Sequence, residues 1–150
     1  MKNDSTIKKV IVAGDHYAVD LSEKVVHFLE EKGLKVINIG AIDSTQTMPL
    51  TTMIPALVDH LDDQTMGVLI CGTGVGVEVG ANRFKGVRAS LCTSVKTASD
   101  ARQYDKANVL CLSAWQTANP DEILDVWLNT SYDGNEQRLE MFAAFDEWAK

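Results

Sequence analysis

The sequence predicts a three-layer α/β/α protein in which a parallel sheet of about five strands is covered by helices on both faces. Three observations carry this. Short β-branched runs alternate with amphipathic stretches along the chain. One of those runs, Gly67 to Cys71, is apolar almost throughout, as a strand covered on both faces must be. The chain is 150 residues long with 45% hydrophobic and 23% charged residues, the balance of one globular domain, assigned here to residues 1–150.

The elements follow in order. Val10 to Val12 read as the first strand, running into Ala13-Gly14-Asp15-His16 as its loop. Leu21, Val25, Phe28 and Leu29 recur at helical spacing with Lys24, Glu30 and Glu31 on the other face, and Gly33 stands where that helix should stop. Val36 to Ile39 form a second strand, and Gly40 to Met48 a polar connection. Thr51 or Thr52 is the expected cap of the next helix, because Pro55 is tolerated only near a first turn; Ile54, Leu57, Val58 and Leu61 are its apolar stripe. Gly67 to Cys71 is expected at the centre of the sheet, with a helix over about Val77 to Arg83 after it. Val87 to Leu91 and Val109 to Leu112 complete the strands, separated by a helix over Val95 to Tyr104. Ile123 to Leu128 and Leu139 to Trp148 supply the last two helices, with Gly134 between them. Parallel neighbours need crossover connections, so the alternation yields a Rossmann-like parallel sheet whose ligands bind beyond the strand C-termini. The loops nominated are Asp15-His16, Cys71 to Gly76, and the approach to the last strand, Tyr104 to Asn108.

Composition excludes several functions. No apolar run reaches the roughly 20 residues that span a bilayer, and Met1 to Lys9 is too polar for a secretory signal, so a cytoplasmic protein without membrane contact is expected. The formal charge of -7 and the lack of a basic patch argue against nucleic acid. Cys71, Cys92 and Cys111 are odd in number and widely spaced, and His16, His27 and His60 contain no pair at metal-ligand spacing, so neither disulfides nor a metal are expected. The acceptor match Asn129-Thr130-Ser131 carries no meaning in a cytoplasmic chain.

Cys71-Gly72-Thr73-Gly74-Val75-Gly76 is the most informative segment. Three glycines in five residues let the backbone approach a ligand and expose N–H groups. The dinucleotide fingerprint fails, because the third required glycine falls on Val77 or Val79, and no Lys-Ser/Thr ending marks a phosphate-binding loop. What remains is a thiol at a strand end, before a helix whose N-terminal potential favours thiolate. Cys71 reads either as a base or as a small buried residue; Cys92 and Cys111 read as buried and inert. Asp15 reads either as a site residue facing Cys71, if the first and third strands are neighbours, or as a turn or cap residue. His27 and His60 read as solvated.

Asp15-His16, the Cys71–Gly76 loop, Ala81-Asn82, Gly86-Val87-Arg88-Ala89 and Ala107-Asn108-Val109-Leu110 together resemble the ribose-5-phosphate isomerase B and galactose-6-phosphate isomerase family, over about residues 8 to 148. The resemblance implies an aldose–ketose isomerase of a small sugar phosphate, without metal or cofactor. It also implies a dimer or tetramer whose sites are completed by a neighbouring subunit. Cys71 would remove and return the carbon-bound proton through an enediolate, with the amides of Gly74 and Gly76 holding the oxyanion and the Thr73 hydroxyl assisting. Asp15 would serve the sugar hydroxyls or move the proton between O1 and O2, His16 would reach toward the far end of the substrate, and Gly72 would be a further substrate contact in the loop.

Departures from the family pattern bear on the substrate. Arg102-Gln103-Tyr104-Asp105 stands where the family carries Arg-x-His-Asn with a ring-opening histidine, which makes an open-chain tetrose phosphate one reading. Trp115 aligns with a family arginine, and Arg138 is alone in a shortened arginine stretch, which leaves a different sugar phosphate, a free sugar or a uronate open. Gly14 stands where cysteine or serine is usual, and Tyr17-Ala18 replaces Ala-Gly. Tyr104, Asp105 and Arg138 remain candidate substrate contacts. A sugar-binding module without turnover and a nucleotide-binding switch domain are the competing readings.

Overall fold

A computed structural model describes residues 7–149 of the chain. Most of the polar stretch Met1 to Lys9 therefore lies outside the described residues. The elements run β1 (Lys9–Gly14), α1 (Val19–Glu31), β2 (Lys35–Asn38), α2 (Leu50–Val58), β3 (Thr65–Cys71), α3 (Val75–Ala81), β4 (Ala89–Leu91), α4 (Val95–Asp105), β5 (Val109–Ser113), α5 (Pro120–Asn129) and α6 (Glu136–Trp148). The five strands are parallel in the order β2-β1-β3-β5-β4, so β3 is central and every residue of it is buried. The chain winds outward from β1 to β2 and then turns back to β3, which makes the gap between the ends of β1 and β3 the switch point.

Strand alternation divides the core into two layers. Val10, Val12, Val68, Ile70, Leu110 and Leu112 pack against Val25, Leu29, Ala98, Ile123 and Trp127 of α1, α4 and α5. Ile11, Ala13, Leu69, Cys71, Val109 and Cys111 face Met53, Ile54, Leu57, Val77 and Ala81 of α2 and α3. Period two thus sends the Cys71 side chain to the α2–α3 face. The two faces reproduce the three-layer arrangement expected from the sequence.

Several boundaries differ from the sequence expectation, each for a local reason. Thr51 and Thr52 lie inside α2 rather than capping it. The N-cap is Pro49, whose carbonyl accepts from the N–H groups of Thr52 and Met53, and Pro55 sits in the second turn. The helix tolerates it there, but the i−4 hydrogen bond that a Pro55 N–H would make to Thr51 is forfeited. α3 starts at Val75, two residues earlier than expected, because Gly74 takes φ 79° and turns the chain directly into the helix. β4 keeps only Ala89 to Leu91, since the Arg88 N–H is taken by the Asn108 side chain. Gly33 ends α1 as expected, with its N–H on the Glu30 carbonyl and that of Leu34 on Leu29.

The last helix, α6, stands apart. Phe142 is its one buried residue, whereas Leu139, Met141, Phe145 and Trp148 are exposed. A cavity of about 860 Å³ lies between it and the body, lined by Phe84, Val87, Arg88, Phe142, Phe145 and Trp148 among others.

Candidate active site

Parallel pairing in register brings the end of β1 to the end of β3. Gly14 is opposite Ile70, and the Asp15 N–H continues the ladder to the Ile70 carbonyl at 3.0 Å. Asp15 is thereby set beside the Cys71 loop, 7% exposed, with its carboxylate accepting from the Tyr17 N–H at 3.0 Å. The turn reading of Asp15 is thus realised, whereas the cap reading is not: the N-cap of α1 is Ala18, without a side-chain hydrogen bond. Gly14 is pressed against α1. A Cβ there would lie 2.3 Å from Ser22 Oγ and 3.0 Å from the Ala18 Cβ, so glycine at 14 goes with alanine at 18.

Cys71 closes β3, paired with Ser113 at the end of β5. Its sulfur accepts from the Gly74 N–H at 3.2 Å, and 5% of the residue remains exposed. A Cβ on Gly76 would come within 3.9 Å of that sulfur, so the bare Gly76 backbone stands next to it. Thr73 is exposed, its hydroxyl accepting from the Val75 N–H at 3.1 Å. The Ser113 hydroxyl donates to the Gly72 carbonyl at 2.7 Å, and the Glu78 carboxylate accepts from the Leu91 N–H at 2.5 Å. These two bonds tie the glycine loop and α3 to β5 and β4. Sequence reading passed over both residues; Ser113 was detectable as the polar residue that follows an apolar strand at the ligand edge.

Three aromatic rings line this mouth. The Trp115 indole lies against Gly72, the Tyr17 ring is edge-on to it at 5.3 Å between centroids, and His16 is 4.2 Å from Tyr17. His16 Nδ1 is buried and has no hydrogen-bond partner among the described residues.

Tyr104, Asp105 and Arg138 are placed elsewhere. Residues that lead into a strand lie at its start, and β5 runs roughly 13 Å from Val109 to Ser113. The approach segment 104–108 is therefore at the opposite edge of the sheet from Cys71 in the same chain, contrary to the expectation that it shares the crevice. Arg138 sits with it, donating from Nε to the Tyr104 carbonyl at 2.7 Å, paired with Asp133, and stacked over the Tyr104 and Tyr132 rings at 5.3 and 5.8 Å.

Electrostatics separate the thiols. Burial pushes Cys92 up to about 11 and Cys111 well above the usual thiol range, so both stay protonated and inert, as read from the sequence. His27 is exposed and meets Glu31 at 3.0 Å, and His60 is exposed, as expected of solvated histidines.

Burial raises the Asp15 carboxyl above its ordinary 3.8, against smaller lowering effects from the Tyr17 N–H and His16. A raised carboxyl favours the folded state below the unfolded value, and that contribution is lost as pH rises through the folded value. Asp15→Asn keeps the acceptor for Tyr17 and removes the buried charge. Its melting temperature at pH 7 is expected to equal or exceed that of the unaltered protein, with the difference shrinking as pH falls toward 4; a lower value at pH 7 would contradict this.

Fold and site together define a Rossmann-like α/β protein whose switch-point edge carries a thiol, a buried carboxyl and a glycine loop in place of a nucleotide cradle. The chain belongs to the ribose/galactose isomerase family, whose model matches residues 10–142. It is 38% identical over 130 residues to a probable ribose-5-phosphate isomerase B of Mycoplasma pneumoniae, covering 83% of this chain and 85% of the relative. It is 33% identical to the galactose-6-phosphate isomerase subunit LacB of Clostridium acetobutylicum, covering 92% and 82%. Among solved structures, a ribose 5-phosphate isomerase of Thermotoga maritima superposes with a TM-score of 0.86 at 31% identity, over 93% of this chain and 98% of that one. The resemblance seen in the motifs is that of family membership, and the chain is an isomerase.

Proposed function

We propose that the chain interconverts the aldose and ketose forms of a small sugar phosphate of the ribose 5-phosphate type, using Cys71 as base. The observation that carries this is the junction of β1 and β3, where Asp15, the Cys71 sulfur, the Gly74 N–H that donates to it and the bare Gly76 backbone converge. The Cys71 thiolate takes the proton from C2 of the open aldose. The electron pair forms the C1–C2 double bond, and the negative charge reaches O1, where the loop amides and the Thr73 hydroxyl donate to it. Asp15 moves the proton from O2 to O1, and Cys71 returns the carbon-bound proton to C1. The product is the ketose, with no net change in electrons and no metal or cofactor required by this sequence of steps. Incubation with aldose phosphates in heavy water should place deuterium on the substrate carbons; binding without exchange or interconversion would favour the module reading.

The active unit in this reading is a dimer or a larger assembly. The segments that leave the strand ends (residues 15–18, 39–49, 72–74, 92–94 and 114–119) contain no lysine or arginine, so one chain offers no cationic side chain in these loops to hold a phosphate. Tyr104, Asp105 and Arg138 lie at the other edge, where they can reach the crevice of a second copy. The exposed Phe145 and Trp148 on α6 support such a contact, since large apolar side chains are costly to hold in water. The double variant Phe145→Glu, Trp148→Glu is expected to reduce the native mass to that of one chain and to abolish turnover. Full activity in a single-chain species would remove the shared site.

A further inference from the structure

We propose that Trp115 and Tyr17 form a wall that limits the length of the substrate, making a four-carbon aldose phosphate the preferred one. This rests on the isomerase reading of the Cys71 loop. A Cβ on Gly72 would stand 2.6 to 2.8 Å from three carbons of the indole, so the ring lies on the backbone immediately after the base. Its position is held from below. The Trp115 N–H donates to the Gly72 carbonyl at 3.1 Å, and Ser113, which bonds the same carbonyl, also accepts from the Gln116 N–H at 3.0 Å. Tyr17 reaches the indole from the other side of β3, because the Asp15 carboxylate fixes the Tyr17 backbone. The two rings therefore bridge the β1 and β5 loops over the β3 loop.

Both rings face water, with Tyr17 58% and Trp115 63% exposed. Nothing in the packing of the described chain requires two large aromatic side chains at the crevice mouth. As a wall they have a use: a sugar whose C1 and C2 lie at the sulfur meets the indole within one residue of the base, and its C–H face stacks there. A longer chain has to displace the ring or leave the sulfur. The preference is thus for a four-carbon phosphorylated aldose over its five- and six-carbon homologues.

The test measures kcat/KM for erythrose 4-phosphate, ribose 5-phosphate and galactose 6-phosphate, with deuterium uptake as the second readout. The unaltered protein should favour the four-carbon substrate by about tenfold or more, the scale on which pocket shape discriminates chain length. Trp115→Ala should shift the ratio of five- to four-carbon kcat/KM upward by about tenfold, with Tyr17→Ala moving it the same way and Trp115→Phe by less. A merely structural role would lower all three substrates together. A preference for five or six carbons, or a ratio unmoved in the folded variants, would overturn the wall. Absence of exchange with every sugar phosphate would instead overturn the isomerase reading and the wall with it.

Discussion

Cys71→Ala and Cys71→Ser are expected to lose exchange at the substrate carbons by roughly 10²–10⁴-fold, the contribution of a positioned base, while keeping the fold. Serine retains the volume but is a far weaker base, so the two variants should fail alike. Their stability should stay within about 1 kcal/mol of the unaltered protein, because alanine removes a single atom at the crevice edge. Circular dichroism checks the fold, and proton–deuterium exchange by NMR checks the chemistry. Native alkylation supplies an independent reading. Iodoacetamide should modify Cys71, which is 5% exposed, and spare Cys92 and Cys111, which are fully buried and which burial keeps protonated. Activity of either variant within tenfold of the unaltered protein would transfer the base role to Asp15.

Gly74→Ala should injure both stability and turnover. Its φ of 79° is unfavourable for alanine, and the added Cβ would lie 2.6 Å from Leu91 Cδ1 and 3.0 Å from the Leu112 carbonyl oxygen. The leucine can move, but the carbonyl belongs to β5 and cannot. Strain and overpacking together cost about 3 kcal/mol, a fall in melting temperature of roughly 6–12 °C for a chain of this size. The N–H that reaches the Cys71 sulfur shifts with the turn, so kcat should fall as well. Gly134→Ala is the control: φ is 82°, nothing lies within 4 Å of its Cβ, and only the backbone term of about 1–2 kcal/mol remains. Equal losses in the two variants would remove the packing argument at Gly74.

Much of the fold was legible because its signals are local. Short apolar runs marked β1, β2, β3 and β5, the expected Val87 to Leu91 run overlapped β4, and the uniform apolarity of Gly67 to Cys71 marked the central strand. The first helix stopped at Gly33 as its periodicity implied. Errors fell where a neighbour overrode a local rule. Thr51 and Thr52 looked like caps, but the Pro49 carbonyl takes that place and the helix absorbs Pro55. Val87 and Arg88 looked like strand, but Asn108 occupies the Arg88 N–H. The thiol, its glycines and Asp15 were visible as a candidate site because they stand at the C-terminal ends of β3 and β1 or just beyond them.

The sequence by itself determined the class of fold, the family and the thiol loop, since these depend on periodicity and on motifs contained within a few residues. Tertiary structure decided which strand ends adjoin, with β5 inserted between β3 and β4. That order laid Trp115 on Gly72 and joined Ser113 to the loop, whereas the far-edge place of Tyr104 and Asp105 follows already from their position just before β5. The physical reason is that strand order is chosen by packing between segments distant in the chain, which no local pattern of residues records.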